Sequence, residues 1–122
     1  MAQLIVWFDT PAVDLRRAVQ FYKAVTERSI KVENYGGDEY AFFETAEGEI
    51  GGSLFVGEKM LPSDQGPLIY FSVEGRLDDA IAKAEANGGS VQMPKHPIGP
   101  YGYRAVVLDS EGNRVALHSM AA

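Results

Sequence analysis

The stretch DSEGNRVALHS, Asp109 to Ser119, runs a polar turn into a short apolar strand that carries His118, one of two histidines in the chain. An imidazole titrates near neutral pH, which makes it the first side chain to consider for proton transfer or ligand contact. Acid–base work also needs a group to orient the ring, and Asp9 is the one candidate. Three readings of His118 therefore stand side by side: a strand end bonded to backbone or water, a ligand contact, and an acid or base. His96, between Pro94 and Pro97 in MPKHPIG, reads as a surface residue in a loop, placed where it can line the mouth of a cavity. Arg104 is a permanent cation able to steady negative charge. Trp7, Tyr70 and Tyr103 offer aromatic faces with a polar tip. No cysteine occurs, so disulfides, thiolate nucleophiles and thiolate metal sites are excluded. The sequence also lacks a Gly-rich phosphate loop, a nucleophile elbow, a His-Glu-x-x-His pair and a calcium loop.

These side chains need elements to hold them. LIVWFDT, from Leu4 to Thr10, is too short and too β-branched for a helix and reads as a strand. PAVDLRRAVQFYKAVTE follows, with Leu15, Ala18, Val19, Tyr22 and Val25 on the apolar stripe of a helix capped by Asp14. SIKVENY, EYAFFET and GEIGGSLFVG are three strand-like runs separated by the turn residues GGD and AEG. Beyond the connector EKMLPSDQGP, LIYFSVEG reads as a strand and RLDDAIAKAEANGG as a helix with Leu77, Ile81 and Ala84 on its stripe. SVQMPKHPI, YGYRAVVLD and NRVALHSM supply three further extended runs. The second half thus repeats the first, as two βαβββ units over about residues 1–58 and 66–122 of a single domain. Letters support the repeat, since AEGEIGGSLF from Ala46 aligns with SEGNRVALHS from Ser110. The fold class is α+β, with paired βαβββ modules forming two open curved sheets, each with a helix on its convex face. Their concave faces must meet each other or a partner chain, and a ligand belongs in that gap.

A chain of 122 residues buries roughly two-thirds of its unfolded surface in one core. The 17 acidic against 11 basic residues give a net charge of -6, which repels a phosphate backbone and argues against nucleic acid as a partner. LIVWF lacks the basic flank and length of a signal peptide, and no run approaches a membrane span. A cytoplasmic protein with no membrane partner is expected.

Arranged in this way, the residues resemble the vicinal oxygen chelate superfamily of glyoxalases, extradiol dioxygenases and bleomycin-resistance proteins, and within it the glyoxalase-like subgroup. The resemblance covers nearly the whole chain and rests on DTPAVDLRRAVQFY, IYFSVEGRLDDAIAKAEANGGSV and GPYGYRAVVLDSEGNRVALHS. It implies a scaffold on which isomerases, oxygenases and non-catalytic drug binders are all built. In the catalytic members, four inward-facing His, Gln or Glu side chains on the first and last strands of each unit hold a metal. The resemblance carries those positions onto Trp7, Gly51 or Gly52, Leu68 and Ala116, none of which binds metal. A one-residue slip to Phe8, Ser53, Ile69 and Leu117 is no better, and a two-residue slip brings in only Asp9 and His118. Neither a metal nor another cofactor is expected.

The resemblance also assigns Ala116 to the cavity. Strand alternation then sets His118 on the same side, together with Trp7 and Asp9, Tyr70 and Ser72, and Arg104 and Val106, while Val6, Phe8, Ile69 and Phe71 face the helices. An inward Asp9 or Arg104 is expected to pair or to bind polar ligand groups, because an unpaired buried charge is strongly unfavourable. Tyr101 and Tyr103 fall on a Gly-flanked loop able to close over the site. The expected ligand-binding set is Trp7, Asp9, Tyr70, Tyr103, Arg104 and His118, and the expected function is binding of a small organic molecule without the superfamily metal. Three alternatives stay open. One is a lyase or isomerase of the lactoylglutathione-lyase type acting on a carbonyl or thiol adduct, with His118 and Asp9 as acid and base. The others are a drug-sequestering resistance protein and a purely structural or interaction module. A homodimer is expected, because members commonly pair and the open sheet edges here have the same need.

Overall fold

The Asp14 carboxylate accepts the backbone N–H of Arg17, satisfying a donor that the first helical turn leaves free, and this starts the first helix where the sequence places it. The computed structural model describes residues 3–122. The first module runs β1 (Trp7–Pro11), α1 (Leu15–Thr26), β2 (Ile30–Tyr35), β3 (Asp38–Phe43) and β4 (Gly51–Phe55). The second runs β5 (Ile69–Ser72), α2 (Leu77–Ala86), β6 (Ser90–Pro97), β7 (Tyr103–Leu108) and β8 (Arg114–Ser119), with a short 3-10 turn at Gly99–Tyr101. Each module folds into its own four-stranded sheet, ordered β1-β4-β3-β2 and β5-β8-β7-β6. The last strand of each unit returns parallel beside its first, and the remaining pairs are antiparallel. Among the described residues, no helix is long and apolar enough to cross a membrane.

One core joins the modules on the helix side. Leu15, Ala18, Phe21, Tyr22 and Val25 of α1 and Leu77, Ala80 and Ala84 of α2 are buried in it. Aromatic rings bridge the two units: Phe8 of β1 meets Phe71 of β5 edge-on at 5.6 Å, and Tyr22 lies 5.4 Å from Phe71 and 5.6 Å from Phe43. Polar groups then lock the joint. The buried Asp109 carboxylate accepts the Tyr22 hydroxyl at 2.6 Å, the Asn113 side-chain amide at 3.0 Å and two backbone N–H groups of its own turn. Asn113 also donates across to the Pro11 carbonyl at 2.7 Å. The Glu111 carboxylate accepts the backbone N–H groups of Val13 and Asp14 and the Arg17 guanidinium. The Asp-Ser-Glu-Gly-Asn turn is therefore a clip between modules as well as a hairpin.

One expectation needs correction. The first strand begins at Trp7 rather than Leu4, and Val6, expected to face the helices, is exposed along with Leu4 and Ile5. Of the two arrangements open to the concave faces, closure within one chain is not seen: among the described residues no strand of one sheet bonds to a strand of the other. Trp7 and Tyr70 remain 45% and 47% exposed there.

Candidate functional site

Register builds the second module's concave face. Ser72 of β5 lies opposite His118 of β8, His118 opposite Arg104 of β7, and Arg104 opposite His96 of β6, so these four form one row across the sheet. Tyr70 lies two residues before Ser72 on the same face. The Arg104 guanidinium lies against the Tyr70 ring, 5.9 Å from its centroid, and its Nη1 donates to the Tyr70 hydroxyl. Its Nε donates to His96 Nε2 at 3.0 Å. A guanidinium cannot accept, so His96 holds a lone pair there, and its Nδ1 donates to the Pro94 carbonyl at 2.7 Å. His118 Nε2 lies 2.6 Å from the Tyr101 carbonyl, which can only accept, so that nitrogen carries the proton and fastens the Gly99–Tyr101 turn. The Tyr70 and His118 rings meet edge-on at 6.5 Å. Tyr70, Ile98, Tyr101, Arg104 and His118 line an open recess of about 540 Å³. His118, one residue before the end of β8, thus anchors a turn through the Tyr101 carbonyl and lines a recess at once.

The first module's concave face is aromatic. The Trp7 indole donates to Asp9 Oδ1 at 3.1 Å, Ser53 Oγ donates to the same oxygen at 2.7 Å, and the Trp7 and Phe42 rings stand 6.0 Å apart. Phe42 continues the ring contacts to Tyr35 and Tyr40. Gly51 lies beneath the indole, where an added Cβ would fall 2.9 Å from it.

The expected set therefore divides. Tyr70, Arg104 and His118 come together on one sheet, and Trp7 and Asp9 on the other. Asp9 and His118 are not partners within one chain: the carboxylate is held by Trp7 and Ser53, and the imidazole by Tyr101. Tyr103 belongs to neither group. It neighbours Arg104 on β7, so alternation sends it to the opposite face, where it packs against the core. Three contributors were not in the expected set. His96 lies in a strand rather than a loop, Ile98 lines the recess, and Tyr101 supplies both a wall and the carbonyl that holds His118.

The structure chooses between the two glycines offered for one of the superfamily's metal positions and moves another by two residues. Gly52 faces the helix side, where an added Cβ would fall 2.4 Å from the Phe8 ring, and Gly51 is the residue on the Trp7 face. Leu68 precedes β5, leaving Tyr70 as the strand residue opposite Ala116. Indole, glycine, phenol and alanine do not make a divalent-metal donor set. Among the described residues, no three His, Asp or Glu side chains gather where a metal could be held.

With the paired modules and the divided site in view, the decisive comparison is the family match over residues 4–117, to the glyoxalase/bleomycin resistance protein/dioxygenase superfamily. The chain belongs to that superfamily. Solved structures share the fold. A glyoxalase/bleomycin resistance protein from Albidiferax ferrireducens aligns with a TM-score of 0.78 at 18% identity over 96% of this chain and 98% of that one. A mutant of the fosfomycin resistance protein FosX from Listeria monocytogenes, complexed with Mn(II) and a dihydroxypropylphosphonic acid, aligns with a TM-score of 0.74 at 16% identity over 98% and 93%. Lactoylglutathione lyase from Agrobacterium tumefaciens aligns with a TM-score of 0.66 at 18% identity over 97% and 94%. No curated protein matches the sequence.

Proposed function

We propose that this glyoxalase-superfamily protein binds a small organic molecule in the recess of Tyr70, Ile98, Tyr101, Arg104 and His118, without the superfamily metal. The observation that carries this reading is the recess itself, where two phenol rings and an isoleucine surround one guanidinium and one imidazole on a rigid sheet. The donor chemistry at the family's metal positions supports the metal-free part.

We further propose that the working unit is a cytoplasmic homodimer, in which the Trp7–Asp9–Ser53 face of a second copy covers the recess. Each chain leaves Leu4, Ile5, Val6, Trp7 and Tyr70 exposed, together with the unpaired edges of β1 and β5. A second copy is the occupant that removes both at once. Lyase chemistry with Asp9 and His118 as a pair requires this arrangement, since the two lie on different sheets of one chain.

The test is a titration of chelator-dialysed protein with aromatic, cationic and carbonyl compounds, followed by melting temperature. A saturable rise from at least one class is expected, because a ligand bound only to the native state stabilises it by mass action. A panel that stabilises only after a divalent metal is added contradicts the reading.

A further inference from the structure

The chain carries 17 acidic and 11 basic residues, yet Arg104 has no carboxylate partner among the described residues. Arg17, Arg28 and Arg76 all pair with Glu or Asp. Arg104 instead spends one N–H on the Tyr70 hydroxyl and one on His96 Nε2. A guanidinium carries about five N–H donors, so most of its fork stays free. No Asp or Glu lines the recess, whose other walls are the rings of Tyr70, Tyr101 and His118 and the Ile98 side chain. His96 offers the recess no free N–H, because its Nε2 accepts from Arg104 and its Nδ1 donates to the Pro94 carbonyl.

The geometry points to an organic oxyanion as the ligand class: a carboxylate or phosphonate on a flat apolar body, its oxygens on Arg104 and its body between Tyr70, Ile98 and Tyr101. This inference rests on the proposed small-molecule site. Within one chain a cationic ligand meets the uncompensated guanidinium and no carboxylate, and the carboxylate that a second copy would bring, Asp9, already accepts from Trp7 and Ser53. A neutral carbonyl accepts from the guanidinium through one uncharged oxygen and leaves its charge uncompensated, whereas an oxyanion offers it an ion–ion hydrogen bond, the strongest contact the recess offers. The planar fork fits two oxygens of one group, so carboxylate and phosphonate share the same recognition. The net charge of -6 repels anions at long range, so the selectivity is local to the recess.

The experiment uses the full ¹⁵N-labelled chain, titrated separately with benzoate, phenylphosphonate, benzamide, benzylamine and inorganic phosphate, with the Tyr70, Arg104 and His118 backbone amides as the readout. Benzoate or phenylphosphonate is expected to shift them saturably and to bind about tenfold or more tighter than benzamide. Benzylamine is expected to leave them in place, and inorganic phosphate to bind more weakly than phenylphosphonate because it lacks the apolar body. The tighter of the two organic anions identifies the oxyanion. Arg104→Gln should remove about tenfold or more of the anion affinity and leave benzamide within about twofold. Tyr70→Phe, which frees one guanidinium donor, should keep or raise the anion affinity. A measurement on the unaltered chain stands beside these variants. Raising salt from about 50 to about 500 mM should weaken benzoate binding and spare benzamide.

Equal binding of benzamide and benzoate, retention of benzoate affinity in Arg104→Gln, or benzoate binding indifferent to salt overturns the anion assignment while the small-molecule site stands. Inorganic phosphate matching phenylphosphonate overturns the role of the apolar walls. If none of the five compounds moves the three amides, the site itself is wrong and the anion assignment falls with it.

Discussion

Glu111 is buried by the joint it makes, and burial pushes its carboxyl up. The Arg17 guanidinium, the backbone N–H groups of Asp14 and Val13 and the Ser110 hydroxyl outweigh that and hold it down to about 2. Its native pKa is therefore depressed below the unfolded value of 4.5. The stability it contributes is present above pH 4.5 and is lost as pH falls towards about 2. Glu111→Gln keeps the shape and removes the charge. It is expected to cost about 2 kcal/mol at neutral pH and to flatten the acid limb of a melting-temperature profile between about pH 2 and 5. Acid limbs that run parallel in the two proteins would contradict the clip. Tyr22 is a second test of the same joint. Burial and the neighbouring Asp109 carboxylate push its phenol well above the ordinary value, so it donates throughout the neutral range. Tyr22→Phe is expected to lower stability by about 1 kcal/mol in urea denaturation, since Asp109 keeps its other donors. Aligned letters in the two repeats do not carry this role across. Glu47 aligns with Glu111, but the first module's anchoring carboxylate is Glu49, which takes a bidentate pair with Arg28.

At the scale of elements, Gly89 joins α2 to β6 where no side chain fits. An added Cβ would fall 2.5 Å from the Leu108 carbonyl and 2.9 Å from that of Ala84, both backbone atoms, and 2.7 Å from the Phe21 ring. Gly89→Ala is expected to cost about 2 kcal/mol or more in chemical denaturation. Gly66→Ala meets open space and serves as the control, expected within about 0.5 kcal/mol of the parent. A Gly89→Ala protein as stable as the control would show that the close approach can relax.

Helices and most strands were legible because their periods are plain: Asp14 caps α1, and the stripes of α1 and α2 face the core as read. β6 is legible as an extended run, but Pro94 and Pro97 read as loop punctuation around His96 and hide its pairing. Those prolines are tolerated because β6 is an edge strand with register shifts between Val91 and His96. Tyr103 was misplaced for a related reason: reading GPYGYR as one loop ignored the alternation that begins at Tyr103 itself. Letters cannot choose between Gly51 and Gly52, since the alignment from the shared Glu-Gly turn pairs Gly52 with Ala116 while the side-chain faces pair Gly51 with it.

For the whole molecule, the fold was readable because it is written twice along one chain. The site was readable only in part, because composition and spacing do not say which concave faces meet. Exposed Leu4, Val6, Trp7 and Tyr70, with the unpaired edges of β1 and β5, predict a dimer at micromolar concentration in sedimentation velocity. A second copy docked by its Trp7 face would make Leu4→Lys and Val6→Lys weaken that dimer, and a protein monomeric before any substitution would remove the two-copy site. The most direct measurement of metal-free binding is benzoate and phenylphosphonate titration of the chelator-treated chain by calorimetry, repeated with added Mn²⁺ or Zn²⁺. Saturable binding with the same affinity in every case is predicted, and it should weaken about tenfold in Arg104→Gln. Binding that appears only with the metal present, or that ignores Arg104, would contradict a metal-free site in this recess.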